Sequence, residues 1–141
     1  MHAWLRGPGR HLICLDDAAY PVRLRNTPDP PPLIYVAGKA ELLQNPALAV
    51  VGSRSPTPRG AADATAFARS LSDAGMCIVS GLALGVDAAA HRGGLDGRSS
   101  SIAVVGTGID RIYPPGNAAL AREIAERGAV VSEFPLGTPP V

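Results

Sequence analysis

The chain has 141 residues, 46% of them hydrophobic, with 13 basic residues against 12 acidic ones and a formal net charge of +1. That length fits one domain with a real core, and near-neutrality excludes a surface that attracts nucleic acid or membrane as a whole, so any anion site must be local. Two cysteines exclude a disulfide-built scaffold, and no apolar run approaches the roughly 18 residues of a membrane span.

Residues 1–10, "MHAWLRGPGR", are glycine-rich and polar, hold no apolar signal-peptide core and are predicted to be disordered. "HLICLDD" (11–17) reads as a short strand. "TPDPPPLIYVAG" (27–38) carries four prolines in five residues, which forbids a helix and leaves an extended segment running into a strand at 33–36. Residues 1–44 thus read as an arm and lead-in strand that pack on a core from 45 to 141.

From Ala47 the pattern is regular. "ALAVVG" (47–52) is a continuous apolar strand. Thr57 is a fitting N-cap with Pro58 at the first helical position; the helix runs to Gly75, with Ala64, Phe67, Ala68 and Leu71 predicted on its buried face. "MCIVSG" (76–81) is the next strand, followed by a helix over 86–92. "SIAVVG" (101–106) is a third strand of this series. Asn117 caps a helix in which Glu123 and Arg127 are spaced to pair and Gly128 is the stop. "AVVSEF" (129–134) is the last strand. Continuous apolar strands alternating with helices are buried on both faces, which predicts a Rossmann-like three-layer α/β/α fold with a mostly parallel sheet.

In such a sheet ligands bind outside the carboxyl ends of the strands. Those ends are "GSRSPT" (52–57), "SGLALGVD" (80–87), "GTGIDRIYPPGN" (106–117) and "SEFPLGTP" (132–139). Helix N-termini point at the same edge and favour anions, and Arg54 and Arg111 are expected in the crevice. The basic residues are twelve arginines and the single Lys39; the arginine fork suits phosphate, though a GC-rich genome produces the same bias. The alternative is that these glycine-rich loops are plain turns.

Several chemistries lack their residues. "GTGIDR" supplies two glycines of a dinucleotide fingerprint but ends in Arg111, leaving Glu133 as the only candidate for a ribose hydroxyl; no stretch matches a P-loop. Ser80, Asp87 and His91 lie near one another in sequence, but no nucleophile elbow surrounds Ser80. Asp87 and His91, four apart on one helix, can pair with each other or with the loop. The three histidines, His2, His11 and His91, are too scattered for a metal site, and no cofactor is implied. Cys14 and Cys77 sit in apolar runs and read as small packing groups, which suits a reducing cytoplasm.

The ordered set "AVVGSRSPTPRG", "IVSGLALGVDAAAH", "GTGIDRIYPPGN" and "VVSEFPLG", with the lead-in "YPVRLRNTPDPPPLIYVAG", resembles the DNA-processing protein A family (DprA/Smf) over about residues 11–140. The resemblance implies a non-enzymatic protein of the cytoplasm. Such a protein binds single-stranded DNA without sequence preference and loads the RecA recombinase on it during natural transformation. It also implies a DNA and phosphate pocket at the strand ends, comprising Gly52, Ser53, Arg54, Ser80, Gly81, Gly85, Gly106, Thr107, Gly108, Arg111 and Asn117. Arg54 matches the family's pocket arginine, and the main-chain N–H groups of the 80–87 loop are expected to grip a phosphate. Tyr113 and Phe134 sit in loops suited to base stacking. Family members continue past "SEFPLG" with a basic segment and much of their dimer contact, whereas this sequence stops at "GTPPV". It therefore reads as a form shortened after the core, with a homodimer weakened or lost. The alternative is a nucleotide-binding or phosphoribohydrolase-type enzyme on the same sheet.

Overall fold

Six strands form one sheet in the order β1-β2-β6-β5-β4-β3 in the computed structural model, which describes residues 2–140. The strands are β1 (Arg10–Cys14), β2 (Leu33–Gly38), β3 (Ala47–Ala49), β4 (Cys77–Ser80), β5 (Ser101–Val104) and β6 (Ala129–Ser132). β3 through β6 are mutually parallel, and β2 and β1 continue the sheet antiparallel beyond β6. The arrangement is the mostly parallel, Rossmann-like α/β sheet that the apolar runs predict.

The long helices are α3 (Pro58–Asp73), α4 (Val86–Asp96) and α5 (Ala118–Arg127); the short α1 (His2–Leu5) and α2 (Val22–Arg25) precede them. Because the chain steps from β3 to β6 in one direction, right-handed crossovers put all three long helices on one face. On that face Ile78 packs with Ala68 of α3 and Ala90 of α4, while Ala103 and Val130 pack with Leu95, Leu120 and Ile124. On the other face Cys77, Ile102 and Val131 share a core with Ile34, Leu42 and the fully buried Tyr20. That second layer reaches from β1 across to Cys77 of β4 but leaves the strand ends less covered. At the carboxyl ends of the strands Val51, past β3, and Val104, the last residue of β5, remain 70% and 50% exposed.

Several expectations need correction. Residues 1–10 are not disordered as a whole: α1 places Trp4 edge-on to Tyr35, with centroids 5.7 Å apart, and β1 begins at Arg10. The Arg10 guanidinium lies 5.4 Å over the Trp4 ring. Phe67 is not a core residue but 60% exposed. The reason is that α3 buries its small residues against α4 rather than a broad apolar stripe against the sheet. Thr65 Oγ1 donates to the Ala89 carbonyl and Ser72 Oγ to the Gly94 carbonyl, at 3.1 and 2.8 Å. α4 also runs on through Gly93 and Gly94 to Asp96, past the predicted end at 92. Thr57 caps α3 as expected, accepting from the Gly60 N–H at 2.9 Å, and Glu123 pairs with Arg127.

Gly93 explains the tight helix pair. A Cβ there would sit 2.2 Å from the Thr65 carbonyl oxygen and 3.0 Å from the Ala68 Cβ. Alanine favours a helix over glycine by about 1 kcal/mol, but here the new methyl meets backbone, and the two helices must part. We expect Gly93→Ala to destabilise the fold by about 1–3 kcal/mol, seen as a Tm drop of roughly 4–12 °C. Phe67→Ser should stay within about 0.5 kcal/mol of the parent, and thermal denaturation of both variants checks the pair.

Candidate nucleic-acid interface

The carboxyl ends of the parallel strands open on a cavity of about 450 Å³. Its walls include Arg54, Leu84, Gly106, Tyr113 and Phe134. Arg54 is the only charged residue lining it among the described residues and is exposed. Tyr113 and Leu84 are 54% and 48% exposed, so the mouth offers flat apolar surface beside one cation. Leu84 carries no polar signal to single it out within the 80–87 loop, and Val105 and Pro140 line the cavity from outside the four expected loops.

The loop over residues 81–85 forms one wall, and three buried side chains hold it. Asp87 Oδ2 accepts from the N–H groups of Gly81 and Ala83, at 3.2 and 3.3 Å. His91 Nε2 accepts from the Leu82 N–H at 3.2 Å, and Asn117 Nδ2 donates to the Leu82 carbonyl at 2.8 Å. The proton on the His91 ring is settled by the next contact. Ser101 Oγ gives its only proton to the Ile78 carbonyl at 2.8 Å, so it accepts from His91 Nδ1–H at 2.7 Å. Neutral His91 with the proton on Nδ1 thus satisfies every group in the chain. Burial lowers its pKa to about 4 despite the nearby Asp87 carboxylate.

This clamp corrects two expectations. The N–H groups of residues 81–83 do not face a phosphate, because Asp87 and His91 already take them. Asn117 stands at the N-cap position of α5 as expected but makes no side-chain cap; its amide reaches across to Leu82. Asp87 and His91 bond the loop and not each other.

The remaining sequence-predicted residues divide between lining and support. Gly81, Gly106 and Thr107 line the cavity with Arg54. Gly106 has nothing within 4 Å of where a Cβ would lie, and neither its N–H nor that of Thr107 has an acceptor among the described residues. Gly85 is a contact residue between loops: at φ +88°, a Cβ would lie 2.4 Å from the Ser53 carbonyl oxygen. That oxygen accepts from the Val86 N–H at 3.0 Å, which seats the Gly52–Ser53–Arg54 turn against α4. Ser53 Oγ turns inward on its own loop and accepts from the Ser55 N–H. Ser80 is buried and donates to the Val50 carbonyl at 2.6 Å. Gly108 packs against residues 135–137, where a Cβ would meet the Pro135 carbonyl oxygen at 2.7 Å.

Arg111 is not in the crevice. A turn closed by the Arg111 N–H on the Gly108 carbonyl, 2.9 Å, swings it to a second cavity on the α5 side of the loop. Nor do Ser80 and His91 form a nucleophile and base, since both are fully engaged elsewhere. Glu133 does not line the cavity. No cluster of three or more His, Cys, Asp or Glu side chains fit for a metal occurs among the described residues, and no helix there is long and apolar enough to cross a membrane.

Residues 11–141 match the family described as DNA recombination-mediator protein A. The chain belongs to that family. It is 42% identical to protein Smf of Escherichia coli over 98% of its own length and 37% of the relative's. The crystal structure of DNA processing protein A from Streptococcus pneumoniae superposes with a TM-score of 0.85 at 37% identity, over 93% of this chain and 46% of that one. DNA processing protein A from Helicobacter pylori, whose structure describes a unique single-stranded DNA binding mode, gives a TM-score of 0.80 at 32% identity, over 94% and 59%. The chain spans less than half the length of the curated relatives it matches.

The buried His91 has a consequence for stability. Its folded pKa lies below the usual 6.5. Between pH 6.5 and about 4 the unfolded chain therefore binds a proton that the folded chain refuses. Stability is full above pH 6.5 and falls as pH drops toward 4, by about 3 kcal/mol in all from this group. Urea unfolding of the parent and of His91→Gln at several pH values should show the steeper acid limb in the parent alone.

Proposed function

We propose that this chain binds single-stranded DNA, without sequence preference, in the crevice at the strand ends. Arg54 contacts a backbone phosphate, the N–H groups of Gly106 and Thr107 add to it, and Tyr113 stacks on a base. The observation that carries this reading is the make-up of the cavity: a lone exposed cation on walls of Tyr113, Phe134 and Leu84. A positively charged groove with aromatic platforms is the usual means of holding a single strand. The single-stranded DNA binding of the Helicobacter pylori relative supports the same reading.

On this reading the chain is the DNA-holding part of a recombination mediator that loads RecA in natural transformation, acts in the cytoplasm and performs no catalysis of its own. Family membership supports the role. The unpaired Cys14 and Cys77 suit a reducing compartment. The cavity volume of about 450 Å³ also falls in the range of small-molecule sites, so a mononucleotide is the competing occupant.

Fluorescence anisotropy with a labelled oligo-dT of about 30 nucleotides, at several salt concentrations, separates the two. Binding should weaken linearly in log salt, by about 0.7 per phosphate contact. Arg54→Ala should reduce affinity about tenfold or more and flatten the salt slope by about 0.7. Unchanged affinity in a folded Arg54→Ala variant sinks the proposal. Binding of a mononucleotide that the oligonucleotide fails to displace favours the competing occupant.

A further inference from the structure

The second cavity, about 480 Å³, lies between the N-terminal segment and α5. It directly adjoins the crevice. Val105 lines both, and residues 105–113 form the ridge between them: Gly106, Thr107 and Tyr113 on the crevice side, Ile109, Arg111 and Ile112 on the other. Three arginines reach it, Arg10, Arg111 and Arg122.

Their states differ. Arg10 is pinned: its guanidinium covers Trp4 and donates to the Trp4 carbonyl at 3.0 Å. It folds back tightly over Gly7, where a Cβ would lie 2.6 Å from Arg10 Cζ. Arg111 and Arg122 are exposed, and the two ion pairs among the described residues, Arg59–Asp63 and Arg127–Glu123, involve neither. Two carboxylates share the cavity. Asp110 Oδ1 is committed to the Gly137 N–H at 2.7 Å, while Glu126 lies one turn beyond Arg122 with no ion pair to it. Ile112, 46% exposed, and the Arg10–Trp4 stack supply flat surface beside the free cations.

We propose that this groove is a second subsite for the same single strand: DNA leaving the crevice crosses the 105–113 ridge and lays its next phosphates on Arg111 and Arg122. The inference rests on the crevice reading. It assigns to Arg111 the phosphate contact expected from the sequence, but outside the crevice and in company with Arg122 and the N-terminal segment. A strand too short to cross the ridge would not feel the groove at all.

Length dependence therefore tests it. Anisotropy titrations of the 141-residue chain would use labelled oligo-dT of about 5 and about 20 nucleotides. Arg122→Glu, at an exposed helix position, should keep the parent Tm, weaken the longer oligonucleotide about tenfold or more, and leave the shorter one within about twofold. Its salt slope for the longer strand should flatten by about 0.7. Equal effects on both lengths, or none on the longer one, overturn the groove proposal. Arg54→Ala is the companion measurement. If it weakens both lengths while Arg122→Glu weakens neither, the groove alone is wrong. If it weakens neither, the crevice reading falls and the groove with it.

Discussion

Leu82 holds a backbone conformation that a side chain ordinarily avoids, with φ +63°. Left-handed backbone costs a non-glycine residue roughly 1–2 kcal/mol, so the surroundings must impose it. They do so at every atom available. Its N–H is taken by His91, its carbonyl by Asn117, and its side chain, 2% exposed, packs with Ala88, Leu95 and Ala103. The strand-end loop that walls the crevice is therefore set from inside by residues on α4 and β5 and by Asn117, just ahead of α5. Loss of one partner would strand a buried polar group, at about 1–3 kcal/mol. That cost explains why three polar side chains sit where an apolar core would be simpler.

The clamp changes how the site can meet an anion. A glycine-rich loop before a helix usually offers free N–H groups and a favourable helix dipole. Here the helix brings its own carboxylate: Asp87, in the first turn of α4, already accepts from Gly81 and Ala83. A phosphate approaching those groups would displace an internal partner and meet its negative charge. On the proposed reading the attraction passes instead to Arg54, beside Gly85, and to the turn at Gly106 and Thr107.

The strands and long helices were legible because their signals are local and repeated. Apolar runs bounded by glycine mark β3 to β6, and Thr57 with Pro58 marks the start of α3. What was missed depends on tertiary partners. Nothing in "PRGAADATAFARS" says that α3 lies against the glycines of α4, so Phe67 looked like core. Trp4 orders the N-terminus only because Tyr35, thirty-one positions on, presents its ring. Arg54 was legible as a lining residue of the crevice because it sits in the loop that follows β3. The inward use of the 81–83 N–H groups was not, since Asp87 and His91 read equally well as partners of each other.

The polar side chains around the crevice also bear on what it can recognise. Reading a base requires donors and acceptors aimed at base edges. Ser80 gives its hydroxyl to Val50, Asn117 its amide to Leu82, and Ser132 its hydroxyl to Thr107. The Thr107 hydroxyl turns to the carbonyls of Gly108 and Arg111. Each is buried and committed to the loops that form the walls. What the lining offers is one guanidinium, main-chain N–H groups without an acceptor among the described residues, including those of Leu84, Gly106 and Thr107, and the faces of Tyr113, Phe134 and Leu84. On the proposed DNA reading, such a set favours a charged, flat-based strand over a neutral ligand, and it aims no uncommitted side-chain amide or hydroxyl from Ser80, Asn117, Ser132 or Thr107 at a base edge. Indifference to sequence would then follow, on that reading, from the same hydrogen bonds that hold the crevice in shape.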